Sequence, residues 1–387
     1  MGSRILTLTR VFVIRHAEAE GNYYLRAHGT YNSRLTRFGR AQLGYLADRF
    51  SNIPLDAVYA SDLVRAVDTA SAVANAKDLN VRIDPDFREI NVGIWEDRPW
   101  GNLYRDFPEM MCLYNFDPLR WHVEDGEYAS DVQRRILSAL RRLESFHPGG
   151  TVAVVSHGGA IRLMLAAVNG TPSNQIRWSM KFDNTGVSLL NIENGKITTV
   201  FEGDSGHLPE RLSGIRKQGW WLEEKDAGIT QPWLRPWNPD ADAAFYSQLY
   251  AEAWRCAHGD ASFDPAPYLR RACRSFKEDP NRICVAMSGE EPLGLIELQE
   301  SSESDPTAFH IAFLAMKAKY RKKGISPVLL GEAISQCRKL GKNRIRLCVA
   351  PENYNAEAYY RHMGFIPVGI VSGAVGSLDL LEWNVGV

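Results

Sequence analysis

Apolar positions along the chain fall into two rhythms. Short apolar runs at residues 11–14, 55–59 and 151–155 each stop at a polar turn. Behind them, apolar residues recur three and four apart, as at Leu43, Leu46 and Phe50 or at Val64, Val67 and Ala70. The runs predict strands, and the wider spacing predicts amphipathic helices, the first over residues 36–50. Strand, turn and helix in repetition imply a parallel sheet with helices on both faces, whose ligands bind at the carboxyl ends of the strands. Those ends carry Arg15 and His16, Ser61, and His157. Residues 187–192 and 196–201 read as a closing hairpin with Asn194-Gly195 at its turn.

The rhythm breaks over residues 203–231, where Gly, Pro, charges and Trp220-Trp221 mix. That composition predicts a linker or docking segment, placed at 211–227. A second pattern starts near Trp233: a strand, a helix through Tyr246, Leu249 and Trp254, and a hairpin turning at Ser288-Gly289. Strand, helix and strand then follow to the end. Two domains are expected, 1–210 and 228–387, because 387 residues exceed one ordinary core of about 150. The halves show no self-similarity, so duplication is not indicated.

Hydrophobic content of 45% and charged content of 24% allow two packed cores. A net charge of −1 gives no electrostatic case for nucleic acid or an anionic membrane, so any anionic substrate must be drawn by local clusters. Six cysteines without C-x-x-C spacing read as buried thiols in a reducing compartment, neither a disulfide frame nor a zinc site. No stretch approaches the roughly 18 apolar residues of a membrane span, and the first residues lack a signal peptide's apolar core. The expected location is the cytoplasm.

A histidine beside an arginine at a strand tip can attack phosphorus while the guanidinium holds the oxygens. A lone strand-end histidine is ordinarily structural, but this one has company. Arg65 follows the turn Ser61-Asp62, and His157 precedes two glycines at another strand end. Phosphoryl transfer through histidine needs an imidazole nucleophile, cations around the phosphoryl oxygens, and an acid such as Glu89 for the leaving oxygen.

The run Val13-Ile14-Arg15-His16-Ala17-Glu18, with Asn22 after it, resembles the R-H-G-E signature of the histidine phosphatase superfamily, which includes the phosphoglycerate mutases. The segment Leu35 to Gln42 resembles that family's first helix, and Ser61-Asp62-Leu63-Val64-Arg65-Ala66 its second arginine motif. Phe87-Arg88-Glu89 with Gly93 and Trp95-Glu96 resembles its acid motif, and Val154 to Gly159 its second histidine motif. The resemblance implies an α/β fold, a three-layer α/β/α phosphoglycerate mutase-like domain. It implies that His16 takes the phosphoryl group and that water then releases it. Arg15, Arg65 and a charged His157 would grip the phosphate with Asn22 assisting, and Glu89 would act as acid and then base. No metal is implied, since arginines and histidine do the neutralising. Glu18 and Asn22 also suit plain turn or sheet-end positions.

Two departures stand out: Ala17 replaces the usual glycine, and Tyr128 stands where the family carries serine. The first asks only that the backbone avoid positive φ. Only 67 residues separate Glu89 from His157, short for the mutases' insertion, which favours a phosphatase with a mutase as the alternative. The aromatics of this interval, Trp95, Trp100, Tyr104, Phe107, Tyr114, Phe116 and Trp121, either cap the substrate or pack their own subdomain.

In the second half, an apolar strand over 309–316 leads through the basic turn Arg321-Lys322-Lys323-Gly324-Ile325-Ser326 into a helix. Free N–H groups at a helix start, with lysines nearby, form an anion seat suited to a pyrophosphate. Asn353-Tyr354-Asn355-Ala356, then Tyr360 and Gly364-Phe365, follow the strand at 344–349. Together these resemble the GNAT acetyltransferases, with Ser326 a mild departure at the last small position. The resemblance implies an α+β domain over residues 228–387 that uses acetyl-CoA. The backbone of Leu314 to Met316 would pair with the pantetheine arm, the 321–326 turn would hold the pyrophosphate, and Asn353 would position the cofactor. Tyr360 would protonate the departing thiolate, and Glu297 is a candidate base. The expected partners are a small phosphoester and an amine. The rival reading makes this half a non-catalytic CoA-binding module that regulates the phosphatase.

Overall fold

The computed structural model of the chain describes residues 8–176, 182–214, 231–259, 262–300 and 305–386. It divides into two compact units, Met1–Arg98 with Leu103–Gly228 and Pro99–Asn102 with Ile229–Val387.

The first unit is built on strands β1 (Thr9–Arg15), β2 (Ala57–Ala60), β3 (Val81–Ile83), β4 (Thr151–Ser156), β5 (Val187–Glu193) and β6 (Lys196–Asp204), in the sheet order β3-β2-β4-β1-β5-β6. The first four run parallel, but β5 pairs antiparallel with β1, so the sheet is mixed where a parallel one was expected. The turn at Asn194 and Gly195, both at positive φ, sets β6 antiparallel to β5, whereas the reversal of β5 against β1 is a tertiary pairing of distant segments. Strand β3 was not foreseen, being three residues long and partly exposed.

Helices α1 (Arg37–Phe50) and α2 (Val64–Asn75) cover one sheet face, burying Leu46, Phe50, Ala70 and Val73 on Phe12, Ile14, Val58 and Val155. The helices α4 (Ala129–Phe146) and α5 (Gly158–Val168) cover the other, so the unit is a three-layer α/β/α sandwich; between sheet and α4 in sequence lies α3 (Pro108–Phe116). Thr36 starts α1 by accepting a hydrogen bond from the Gly39 amide at 3.0 Å. Leu212 is buried, its carbonyl accepts from Gln42, and the Gly214 amide donates to Asp183, so the first residues of the expected linker pack into this unit. The remainder of that linker, with Trp220 and Trp221, lies outside the described residues.

The second unit holds β7 (Trp233–Pro236), β8 (Ile283–Ser288), β9 (Glu291–Glu300), β10 (Ala308–Met316), β11 (Arg344–Val349), β12 (Ile366–Ser372) and β13 (Ser377–Asn384), ordered β12-β13-β11-β10-β9-β8-β7. Helices α6 (Pro239–His258) and α7 (Ala266–Glu278) pack on one face, with Trp237, Tyr246 and Leu249 in the core between. Helix α8 (Ser326–Lys339) packs against β9, β10 and β11, and α9 (Tyr354–Met363) ends at Gly364 in the left-handed region. Strands β10 and β11 pair in parallel only from Ala308 with Arg344 to Ile311 with Leu347, and β10 carries a bulge between Ile311 and Phe313. Beyond that point the two strands no longer pair.

Cys284 and Cys337 are buried, whereas Cys112, Cys256 and Cys348 are exposed, which corrects the expectation of buried thiols throughout. Among the described residues no helix is long and apolar enough to cross a membrane.

Candidate active site

Three neighbouring strand ends assemble the first site. β4 lies between β1 and β2, with Arg15 opposite Ser156 and Ala60 opposite Val155. The residues that follow, His16, His157 and Ser61, therefore stand side by side although the chain separates them widely. The His16 amide donates to the Ser156 carbonyl at 2.9 Å, the Ser61 amide to Val155, and the two imidazoles lie 5.1 Å apart between centroids.

A hydrogen bond assigns the His16 proton. His16 Nδ1 lies 2.7 Å from the Ala17 carbonyl, an acceptor only, so Nδ1 carries the hydrogen and Nε2 keeps its lone pair. Ala17 is not among the positive-φ residues, so alanine fits here, and its amide donates to Thr69 Oγ1 at 3.0 Å. Ser61 Oγ accepts from the Leu63 amide and sits 2.7 Å from His157 Nε2. This bond ties His157 to the end of β2, and its Nδ1 is buried without a hydrogen-bond partner among the described residues. Burial, then the neighbouring Arg65, pushes both imidazoles well below the ordinary histidine range. His16 is thus a neutral imidazole with an available lone pair. Burial and Arg65 likewise oppose a charge on His157, which favours a neutral N–H donor over the charged one expected.

The cations are held by carbonyls. Arg65 is 1% exposed and donates to the carbonyls of Tyr31 at 2.8 Å and Gly29 at 2.6 Å; burial lowers it to about 10, so it stays charged at neutral pH. Arg15 donates to the Phe182 carbonyl, and a Cβ on Gly158 would come within 3.2 Å of its Nε, so close packing wants glycine there.

Glu89 sits at the start of α5. Its Oε2 accepts from the Gly159 amide at 2.9 Å, and its Oε1 from Ala160 at 2.7 Å and Ile90 at 3.0 Å. Arg135 holds the loop before it by donating to the carbonyls of Asp86, Arg88 and Glu89, and is itself paired with Glu127.

Asn22 Oδ1 accepts from the Ala19 amide and from Asn184 Nδ2, which also donates to the His16 carbonyl at 3.0 Å. Glu18 accepts from the Thr36 hydroxyl at 2.6 Å and so anchors the start of α1, the plainer of its two readings. Trp95, Tyr114 and Trp121 are buried against one another with centroids 5.2–5.6 Å apart, and Phe107 lies 5.9 Å from Trp95, so these four pack their own subdomain. Tyr104 and Phe116 are exposed, as is Tyr128, which stacks on His122.

Sequence reasoning missed Asn184, Thr185 and Arg162. Thr185 holds φ of 60° while its amide donates to the Arg15 carbonyl at 3.0 Å, a strained conformation for a β-branched residue and of a kind that gathers at functional sites. The short polar turn Asp183-Asn184-Thr185-Gly186 was its one visible signal.

Residues 11–205 match the profile of the histidine phosphatase superfamily, branch 1. The chain belongs to that superfamily. Residues 245–365 match the acetyltransferase (GNAT) family, so this histidine phosphatase chain carries a GNAT domain as well. Its phosphatase half is 29% identical over 203 residues to phosphoserine phosphatase 1 of Hydrogenobacter thermophilus, covering 52% of the chain and 96% of that protein. It is 28% identical over 206 residues to the probable phosphoglycerate mutase GpmB of Yersinia pestis, covering 52% and 95%. Among solved structures, YhfR of Bacillus stearothermophilus is 30% identical with a TM-score of 0.49, covering 51% of this chain and 98% of that one.

In the GNAT domain, Lys322 and Gly324 take positive φ, turning the chain into α8. The amides of Lys322, Lys323, Gly324 and Ile325 pair with no carbonyl among the described residues. Arg321 is engaged with Glu252 at 2.6 Å and the Met316 carbonyl at 2.9 Å. Lys323 Nζ lies 5.7 Å from the Tyr320 ring. The parting of β10 from β11 leaves the β11 side of Leu314 to Met316 without a strand partner.

Asn353 caps α9 by accepting from the Ala356 amide at 3.3 Å. Tyr360 is buried, 5.5 Å from Phe365 and 5.3 Å from Tyr359 between ring centroids, and burial pushes its phenol up. Glu297 is fully buried, accepting from Tyr246 at 2.7 Å and from Arg271 at 2.9 and 3.2 Å. A carboxylate so engaged is a structural ion pair, which corrects its candidacy as the base.

Proposed function

We propose that the first unit hydrolyses phosphomonoesters through a phosphohistidine at His16, and that the GNAT domain transfers an acetyl group from acetyl-CoA to an amine. The observation that carries the first part is the neutral His16 with its lone pair on Nε2, among Arg15, Arg65 and the His157 N–H donor. In this reading Nε2 attacks phosphorus, the bond to the ester oxygen breaks, and Glu89 gives its proton to the departing alkoxide. Arg15 and Arg65 neutralise the phosphoryl oxygens, the His157 N–H donates to them with Asn22 at the margin, and the Ala17 carbonyl steadies the proton on Nδ1. Water then attacks the phosphoimidazole, returns its proton to Glu89, and releases inorganic phosphate. The cations needed come from the chain, so hydrolysis is expected to survive chelation by EDTA.

The short interval between Glu89 and His157 supports a phosphatase over a mutase. The relatives' names denote esters of small carboxylic acids, and Arg162 supports that class here. It follows Gly158 by one helical turn, lowered by burial to about 9 and still charged, with Arg15 and Glu89 among its electrostatic neighbours. The test is to quench the protein in mid-turnover on an aryl phosphate. An acid-labile, alkali-stable phosphate on His16 is expected, and its absence under turnover would remove the mechanism.

Glu89→Gln gives a separate check. It should slow esters with poor leaving groups by about 100-fold or more while slowing good ones much less, because only a poor leaving group needs the proton. Equal slowing would leave Glu89 as a helix cap alone.

For the GNAT domain, the parted strands, the unpaired turn amides and the start of α8 fit acetyl-CoA. Leu314 and Met316 would offer backbone to its pantetheine arm. Lys322, Lys323, Gly324, Ile325 and Ser326 would seat its pyrophosphate, with Arg321 and Asn353 holding the surrounding backbone. Acetyl-CoA would supply an activated thioester. Tyr360 would hold a proton for the sulfur. Thiol release from acetyl-CoA only when an amine is added supports transfer; binding without release across a broad amine panel would make this half a regulatory module.

A further inference from the structure

The loop from His28 to Tyr31 lies between two opposite charges. On one side is Glu96, whose Oε2 accepts from the amides of Gly29 and Tyr31, both at 3.0 Å, and whose Oε1 accepts from the Thr30 amide at 2.7 Å and the Thr30 hydroxyl at 3.2 Å. On the other side is Arg65, which donates to the carbonyls of Gly29 at 2.6 Å, Tyr31 at 2.8 Å and His28 at 3.5 Å. Two peptide groups, 28–29 and 29–30, therefore point N–H at the carboxylate and C=O at the guanidinium. Their dipoles line up from anion to cation, and each end strengthens the other.

The surroundings are built for this contact. A Cβ on Gly29 would collide with Glu96 Oε1 and the Ile90 carbonyl, so only glycine lets the carboxylate come so close. The next residue, Asp97, holds the front of the same loop: its amide donates to the Ala27 carbonyl at 2.7 Å, and its carboxylate accepts from Arg26 Nε at 2.8 Å. Asp97 sits at φ of 58°, which turns two adjacent acids onto one loop. Arg65 itself is almost wholly buried, so its direction depends on those carbonyls rather than on solvent.

We propose that Glu96 is a positioning residue for phosphate capture, acting on the phosphoryl group through loop 28–31 and the Arg65 guanidinium. The inference rests on the reading of Arg65 as a phosphate ligand. A glutamate that merely buttressed a loop would change stability and leave anion affinity alone. One that aims Arg65 sets how well the site holds phosphate, and it also supports the charge on Arg65, which counts Glu96 among its stabilising neighbours.

The experiment is calorimetric titration of the full-length protein with inorganic phosphate, which needs no turnover. It uses wild type, Glu96→Gln, Arg65→Lys and the double variant. Glu96→Gln should weaken phosphate binding about tenfold, since it puts an N–H2 group against amide donors and loosens the loop whose carbonyls aim Arg65. The double variant should bind within about twofold of Arg65→Lys alone, because Glu96 acts through the guanidinium fork that this substitution removes. On the alkaline side, activity of Glu96→Gln should fall at lower pH than wild type. Unchanged phosphate affinity in Glu96→Gln, or losses that multiply in the double variant, would overturn the proposal. Should Glu96→Gln not fold, Glu96→Asp takes its place in the same cycle, its shorter carboxylate reaching fewer amides. Wild type that binds phosphate but hydrolyses no ester would refute the phosphatase reading while leaving this inference to the binding data.

Discussion

Replacing His16 by alanine abolishes hydrolysis of an aryl phosphate, with kcat falling at least about 10⁴-fold, because the nucleophile of a covalent mechanism has no substitute. The loss should appear in kcat and not in phosphate affinity, since Arg15, Arg65 and the His157 N–H remain. His157→Ala should differ in kind. It removes a neutral hydrogen-bond donor, so it weakens both phosphate binding and kcat but leaves measurable turnover. The pair is read by steady-state kinetics on one substrate with calorimetric titration of phosphate. Residual activity above about 1% in His16→Ala would mean that another group attacks phosphorus.

Glu297→Ala destabilises the GNAT domain by about 1–3 kcal/mol, because it leaves the buried Tyr246 phenol without its acceptor and unpairs the half-buried Arg271. Hydrogen exchange followed by mass spectrometry reads this locally, as lost protection in β8, β9 and α7, with the phosphatase half unchanged. The milder Glu297→Gln keeps one acceptor oxygen and separates the two roles first considered for this residue. A structural ion pair predicts acetyl transfer that falls only as far as the folded fraction does. A general base predicts a fully folded variant with normal CoA affinity and little transfer.

Much of the fold was legible because its causes are local. The apolar run at 11–14 and the strand at 344–349 needed only their own residues to declare themselves, and Asn194-Gly195 can turn only one way comfortably. The helical spacing from Thr36 to Phe50 announced α1. The mixed pairing of β5, the short β3 and the exposed cysteines were not legible, since each depends on what lies beside it in space.

The same division runs through the site. His16, Arg15, Arg65, Glu89 and His157 stand out in the sequence because phosphoryl transfer demands those residue types at strand and helix ends. Their protonation does not. Whether His157 is charged depends on burial and on Arg65 beside it, and which nitrogen of His16 keeps its lone pair depends on one carbonyl. Glu297 looked available because a strand position says nothing of Arg271, 26 residues away along the chain.

By itself, then, the sequence determined two domains, most of their strands and helices, and the candidate phosphate-handling and CoA-binding groups, because periodicity and residue chemistry act over a few neighbours. Only the tertiary structure decided that β4 sits between β1 and β2, so that Ser61, His157 and His16 meet, and that Glu96 reaches Arg65 through a loop. Desolvation and hydrogen-bond partnership are properties of surroundings, and at this site distant segments supply most of them.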